Sequence, residues 1–358
     1  PYTIPMVTEE SSVIAAASKS AKFWLDKGGF RASVLSTNKV GQVHFLFKGD
    51  YKTLKRYFDK IKPKLILDVS SITSNMNKRG GGIKSIQLLN LSDKIENYFQ
   101  IKAIFETQDA MGANFINSCL EQFAKTFKYN FTEKNEIEII MSILSNYVPE
   151  CIVKAEVSCE IEKLSDTSII DPFDFANKFV RAVKIAEVDK YRAVTHNKGI
   201  MNGIDSVVIA TGNDFRAIES AAHAYASRSG TYKSLTNASV ENNLFKFSIE
   251  IPLALGTVGG LTKLHPLANL ALEILDKPNS KDLMKITAVA GLAQNFAAIK
   301  SLITTGIQHG HMKMHLINIL NQHRASDIEK EKAIEYFKTN TVSHLEVDLF
   351  INKLRSNE

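Results

Sequence analysis

The sequence predicts an α+β fold: a helix-rich large domain, a smaller inserted domain, and a small helical cap at the C-terminus. Three observations carry this. Residues 38–145 show strand and helix patterns in the order β-α-β-β-α-β, the split β-α-β module of ferredoxin-like domains. The sequence on either side of that run is dominated by apolar residues at helical period. At 358 residues, 44% of them hydrophobic, the chain is too long for most single cores, so two domains or one domain with an insertion are expected. The expected division is 1–37 with 146–315 as a discontinuous large domain, 38–145 as the inserted domain, and 316–358 as the cap.

Each element has its own justification. "SVIAAASKSAKFWLD" (12–26) reads as a buried, Ala-rich helix that stops at Gly28 and Gly29. "GQVHFLF" (41–47) alternates as a strand. "YKTLKRYFDKI" (51–61) has helical period, and Pro63 is expected to open a second helical stretch. "IKSIQLLNL" (83–91) and "NYFQIKAIFET" (97–107) read as a hairpin, "DAMGANFINSCLEQFAKTF" (109–127) as a helix and "NEIEIIMSIL" (135–144) as a strand. Beyond the module, helices are expected at 173–188, 214–228, 264–276 and 280–306, with strands at 151–162 and 244–252. The last forty residues read as short amphipathic helices suited to a mobile cap. No internal repeat and no low-complexity segment is present.

Composition excludes several function classes. Charged residues are 23% and aromatics 9%, ordinary for a globular protein. The net charge of +6 is spread along the chain. No block of about five like charges exists, which argues against a nucleic-acid tail and leaves a polyanionic small ligand as the partner that a mild positive balance suits. The three cysteines, Cys119, Cys151 and Cys159, are odd in number and form no CxxC pair, as expected in a reducing compartment. No run of about 18 apolar residues predicts a membrane span. The N-terminus "PYTIPMVTEESS" lacks the features of a signal peptide. A cytoplasmic protein is therefore expected, with upstream sequence absent from the chain.

Three constellations are candidates for chemistry. A GxGxxG fingerprint is missing: "GTVGGL" (256–261) has the wrong spacing, and "RGGG" (79–82) does not lead into a helix. "DAMGAN" (109–114) follows a strand and opens a helix. It is either an ordinary helix capped by Asp109, or a turn whose free N–H groups receive a pyrophosphate. "HGHMKMH" places His311 and His315 one helical turn apart, the spacing of two metal ligands, but no carboxylate supports a metal. A general acid beside a flexible cap is the competing reading, and His309 reads as surface. Finally, "THNKGIMNG" surrounds Lys198 with amides and glycines, and "ATGNDFRA" places Asp214 at the start of the next helix. Lys198 is either a solvated surface lysine or the cation that stabilises an oxyanion in an enzyme acting on a carbonyl, with Glu9 or Glu10 of "TEESS" as proton donor.

Over almost its whole length the chain resembles the class II, mainly bacterial, hydroxymethylglutaryl-coenzyme A (HMG-CoA) reductases. The motifs that carry the resemblance occur in family order: "IPMVTEESSVIAAASKSAK" (4–22), "GGG" (80–82), "DAMGAN", "ILSN" (143–146), "YRAVTHNKGIMNGID" (191–205), "ATGNDFRAIESAAHAYASRSG" (210–230), "GTVGGLTKLHP" (256–266), "GLAQNFAAIKSL" (291–302) and "GIQHGHM" (306–312). "THNKGIMNG" together with "ATGND" and "GHM" is highly specific.

The resemblance implies an NAD(P)-dependent oxidoreductase that interconverts HMG-CoA with mevalonate and free coenzyme A by two hydride transfers, in isoprenoid precursor metabolism. The thioester is reduced to a hemithioacetal, which collapses to mevaldehyde, which is reduced again. It implies Lys198 as the residue that polarises the carbonyl, Asp214 as its partner, Glu10 as proton donor, and His311 as the acid that protonates the leaving thiolate. Arg192 matches the residue that holds the HMG carboxylate. Ser12, Asn146, Asn202 and Gln294 match further substrate contacts. "DAMGAN", that is Asp109, Ala110, Met111, Gly112, Ala113 and Asn114, matches the dinucleotide-binding helix start, within a non-Rossmann cofactor domain. A homodimer or higher homo-oligomer with the site across the subunit interface is implied; a nucleic-acid partner, a membrane and a metal are not.

This sequence departs from the family pattern in two places. It begins just before "IPMVTEE", where the family has several tens of residues more, and the usual "EEPS" is "EESS", with Ser11 in place of Pro. The alternative reading is accordingly a non-catalytic or fragmentary relative that binds acyl-CoA or only dimerises. Cofactor choice is read from "DVSSITSNMNKRGGG" (68–82). Counting back from the glycines, Thr73 falls where an NAD-dependent member carries Asp, and Lys78 and Arg79 stand close by. A neutral edge with two cations favours NADPH over NADH, with Asp68 as the competing carboxylate.

Overall fold

The computed structural model describes residues 2–131, 137–164, 170–304 and 306–356, without the side chains of 261, 263 and 307–314. Helix α1 (Ser11–Leu25) ends just before the Gly28–Gly29 pair, and β1 (Arg31–Val34) follows. The chain then enters a four-stranded sheet. β2 (Lys39–Phe47) is followed by α2 (Tyr51–Asp68) and α3 (Ser70–Lys78). Next come β3 (Gly82–Asn90), β4 (Tyr98–Glu106), α4 (Ala113–Tyr129) and β5 (Ile137–Ser145). The strand order is β3-β4-β2-β5 with every pair antiparallel, the split β-α-β arrangement expected from the sequence. One face of the sheet supplies Val43, Phe45, Phe47, Ile101 and Phe105. α2 and α4 cover it with Leu54, Phe58, Leu120, Phe123 and Phe127, all fully or nearly fully buried.

Pro63 does not open a second helix. It lies inside α2, which runs on to Asp68. Pro63 is on the exposed side of the helix, so water can satisfy the carbonyl that loses its N–H partner.

A second antiparallel sheet, ordered β1-β6-β8-β7, combines β1 with β6 (Ile152–Glu160), β7 (Thr236–Glu241) and β8 (Leu244–Pro252). β1 and β7 are additions to the expected strands. The β7–β8 hairpin turns through Asn242 and Asn243, both at positive φ (50° and 63°), a conformation that asparagine tolerates in two-residue turns. Around this sheet pack α5 (Pro172–Val188), α6 (Lys190–Ala210), α7 (Phe215–Ala226), α8 (Leu261–Leu264), α9 (Pro266–Ile274) and α10 (Ser280–Ile303). Trp24, Phe179, Phe245, Phe247 and Phe296 form the centre of this core. The three cysteines are free and buried.

α10 has the length and composition of a membrane span, but 61% of its most apolar window is buried within the fold. α6, absent from the expected helices, packs along it. Its glycines explain both facts. A Cβ on Gly203 would lie 2.4 Å from the Ala290 carbonyl oxygen, and one on Gly291 2.7 Å from the Ile204 side chain. The two helices touch backbone to side chain, and such a contact leaves no ordinary apolar stripe to read. The chain ends in α11 (Ile307–Gln322), α12 (Asp327–Tyr336) and α13 (His344–Ser356), held by a cluster of their own around Leu316, Ile319, Leu320, Phe337, Val347 and Ile351.

Candidate active site

α6 begins at Asp189, whose carboxylate accepts the Arg192 N–H at 3.1 Å and caps the helix. From there Arg192, Thr195, Lys198 and Asn202 recur at spacings of three to four, on one helical face. That face, the start of α1 and the C-terminal half of α10 enclose a cavity of about 550 Å³. Glu10, Ser12, Arg192, Lys198, Asn202 and Gln294 all line it. Six residues from three distant stretches of sequence are thus brought together. The Gln294 side-chain oxygen is buried and meets no donor among the described residues.

The amides around Lys198 divide into two sets. Asn197 braces the helix from behind: its Nδ2 donates to the Lys233 carbonyl at 2.8 Å, and its Oδ1 accepts the Leu235 N–H at 3.0 Å. Asn295 does the same from α10, donating to the His196 carbonyl at 3.3 Å and accepting from Thr236 Oγ1 at 3.2 Å. Asn202 lines the cavity, and Asn295 reaches its wall as well.

His196, which the sequence reading passed over, also lines the cavity and is 1% exposed. Its Nε2 lies 2.6 Å from Thr236 Oγ1, while Nδ1 has no partner among the described residues. Burial, reinforced by the Arg192 cation, pushes its pKa down to about 3, so the ring is neutral. Its position two residues before Lys198 was the available signal. Further along α6, the Asp205 carboxyl is half-buried beside Glu219 of α7. Burial first, then the Glu219 charge, pushes the Asp205 carboxyl up to about 8.

Asp214 and Asn146 do not line this cavity. Asp214 caps α7 as expected, accepting the N–H groups of Arg216 at 3.1 Å and Ala217 at 3.2 Å. It is exposed, pairs with Arg216 Nε at 3.6 Å, and is not among the residues lining the Lys198 cavity. Asn146 lines a second, smaller cavity with Lys39, Met111, Ala217 and Ile218. His311 falls within α11, but its side chain lies outside the described residues.

"DAMGAN" corrects one expectation. Asp109 does not cap the helix that follows it. α4 starts at Ala113 behind Gly112, which takes a φ of 92° and offers no side-chain cap. The left-handed Gly112 delays the helix, and the Asp109 carboxylate instead accepts the N–H of Ser280 at 2.8 Å, at the start of α10. The first turn of α4 therefore keeps its N–H groups uncapped by any side chain, the arrangement that suits a diphosphate. Met111 abuts Gly256, where a Cβ would lie 2.5 Å from the Met111 nitrogen. Gly256 in turn donates its N–H to Asn213 Oδ1 at 2.8 Å, so this turn and the start of α7 lie on one side of the molecule.

Among the cofactor-choice residues, Thr73 is 4% exposed and its hydroxyl reaches the Ser70 carbonyl of its own helix. Lys78 and Arg79 are exposed at the end of α3. Asp68 accepts the Thr126 hydroxyl at 2.8 Å and pairs with Lys64 at 3.5 Å.

Known proteins resemble this chain over most of its length. A family model described as hydroxymethylglutaryl-coenzyme A reductase matches residues 1–316. A 3-hydroxy-3-methylglutaryl-coenzyme A reductase of Archaeoglobus fulgidus is 35% identical over 337 residues, 93% of this chain and 74% of the relative. Two solved structures of the Streptococcus pneumoniae enzyme superpose well. One, a class II reductase bound to NADPH in open conformations, has a TM-score of 0.78 at 36% identity, covering 84% of this chain and 81% of its own. The other has a TM-score of 0.79 at 34% identity, covering 99% and 83%.

Proposed function

The chain belongs to the hydroxymethylglutaryl-coenzyme A reductase family, and from that premise we propose how its residues carry the interconversion of HMG-CoA with mevalonate and free coenzyme A. The activity is that of an NAD(P)-dependent oxidoreductase of the mevalonate pathway. The observation that supports the residue assignment is the single cavity shared by Glu10, Arg192, Lys198, Asn202 and Gln294.

In this scheme Arg192 and Ser12 hold the HMG carboxylate at one end of the cavity. Lys198 donates to the thioester carbonyl oxygen and stabilises the negative charge that grows there as hydride arrives at carbon. The nicotinamide dinucleotide supplies that hydride in each reductive step. Glu10 delivers the proton that turns the second oxyanion into the mevalonate hydroxyl. Asn202 and Gln294 fix the substrate's polar groups. His311, brought over by the C-terminal cap, protonates the departing coenzyme A thiolate, and closure of the cap keeps mevaldehyde from escaping.

The dinucleotide is proposed to lie with its diphosphate on the uncapped first turn of α4. NADPH is favoured over NADH. Lys78 and Arg79 stand exposed beside the glycine run, and Asp68 is engaged between α2 and α4. The related Streptococcus pneumoniae structure is bound to NADPH.

The proposed domain division follows the two sheets and the separate C-terminal cluster, with boundaries near residues 38, 146 and 316. A homodimer is proposed as the minimum unit. Asp214 does not line the Lys198 cavity of its own chain, so its partnership with Lys198 is expected between copies. Large apolar side chains around the start of α6 and α9, Val188, Tyr191, Leu264 and Leu267, are more than two-thirds exposed in the single chain. The reducing environment that suits three free cysteines fits a cytoplasmic enzyme. Nicotinamide reduction that depends on both mevalonate and coenzyme A tests this reading. Its absence would favour a non-catalytic acyl-CoA-binding relative.

A further inference from the structure

Beneath the turn assigned to the diphosphate lies a buried lysine that the scheme above does not use. Lys39 opens β2, where the chain enters the split β-α-β sheet, and is 5% exposed. Its Nζ donates to Thr107 Oγ1 at 2.6 Å and reaches the Ala110 carbonyl at 3.5 Å. Thr107 Oγ1 donates to the same carbonyl at 2.6 Å. These partners are neutral oxygens, not a carboxylate, so an ammonium is kept out of water here to hold backbone.

The turn is gripped on its other sides as well. Glu106 accepts the Thr37 hydroxyl and, at 2.9 Å, the Gln108 N–H. The Asp109 carbonyl accepts the Thr257 N–H at 2.8 Å. Lys39 reaches the Ala110 carbonyl directly and also braces the Thr107 hydroxyl that donates to it. Thr107 carries that link further, because a Cβ on Gly112 would lie 2.5 Å from Thr107 Cγ2. The rotamer of Thr107 therefore sets how closely Gly112 can approach.

We infer that Lys39 is a positioning residue for the nicotinamide cofactor. Through Thr107 and the Ala110 carbonyl it holds the turn at Met111 and Gly112 that leads into the first turn of α4, where the diphosphate is proposed to lie. Lys39 and Met111 also line the small cavity that contains Asn146, which places this link between the cofactor turn and a proposed substrate contact. The inference rests on the reading that "DAMGAN" holds the dinucleotide.

The test uses the full chain with Lys39→Met, which keeps length and loses the donor, Thr107→Val, which keeps shape and loses the hydroxyl, and the double variant. Two quantities are measured: the dissociation constant for NADPH without HMG-CoA, from nicotinamide fluorescence, and the KM values for NADPH and for HMG-CoA. Each single variant is expected to weaken NADPH binding and raise its KM on the order of tenfold, the scale of a small misplacement of binding groups, with KM for HMG-CoA within about twofold of wild type. The double variant is expected to be no worse than the worse single, because both break one link. Unchanged NADPH binding, equal rises in both KM values, or additive losses would overturn the role of Lys39. Wild-type NADPH binding and turnover in the same experiments report separately on the underlying reading. Should Lys39→Met not fold, Thr107→Val alone decides, since its loss of the same link must give the same selective effect.

Discussion

Glu10 and Lys198 face one cavity from helices far apart in sequence: Glu10 stands at the N-cap of α1, and Lys198 sits in the middle of α6. α10 packs against both helices and closes the cavity with Gln294. A glutamate, a lysine and a buried glutamine thus line one cavity.

The α6–α10 contact sets where Lys198 stands. Gly203→Val is expected to destabilise the protein by about 1–3 kcal/mol, the usual cost of overpacking, because its Cβ would lie 2.4 Å from the Ala290 carbonyl. Calorimetry should show a melting temperature lower by several degrees. An unchanged value would mean that the helices part without cost.

His311→Gln is expected to spare reduction of added mevaldehyde and to slow reduction of HMG-CoA, since only the thioester route expels a thiolate that needs a proton. Steady-state rates with the two substrates check it. Equal slowing of both would remove His311 from that role and revive a structural or metal-binding one.

The Asp205 carboxyl, raised by burial and by Glu219 to about 8, makes stability depend on pH. The folded state keeps a proton that the unfolded state releases near the ordinary aspartate value of 3.8. Between these values the native form binds more protons, so this pair's contribution to stability falls as pH rises from about 4 to about 8. Asp205→Asn should flatten that slope in urea titrations. A slope identical to wild type would mean that the pair shares no proton.

The inserted module was legible because β2 alternates through most of its length and α2 and α4 keep helical period, although β5 leaves Ile140, Met141 and Ile143 exposed. α6 was not legible, because Gly203 and a run of amides serve close packing and leave no stripe. The start of α4 was misplaced for a related reason: the positive φ of Gly112 has no mark in the sequence, and Asp109, a good cap by type, serves α10 instead. Of the proposed site, Glu10, Ser12, Arg192, Lys198, Asn202 and Gln294 gather at the cavity from α1, α6 and α10, whereas Asn146 lines another. That Asp214 does not line the cavity was invisible, because spacing along a chain says nothing of position once α6 ends and the chain turns at residues 211–213. His196 was passed over because its neutrality depends on burial, which a motif does not reveal.

NADPH is expected to exceed NADH in kcat/KM, and replacing Lys78 and Arg79 together by Ala should narrow the gap. Their exposure beside the glycine run is what a 2′-phosphate requires. Parallel kinetics with both cofactors decide it. A tenfold preference for NADH would mean that these cations point to solvent and take no part.

The most direct test of the central claim, that Lys198 is the oxyanion-holding residue of an HMG-CoA reductase site, is HMG-CoA-dependent NADPH oxidation by the wild type and by Lys198→Ala, with the melting temperature of each. The expected result is turnover lower by about 10²–10³, the usual cost of losing an oxyanion donor, at an unchanged melting temperature. Retention of more than about a tenth of wild-type turnover would contradict the assignment, since on that scale no oxyanion donor has been lost.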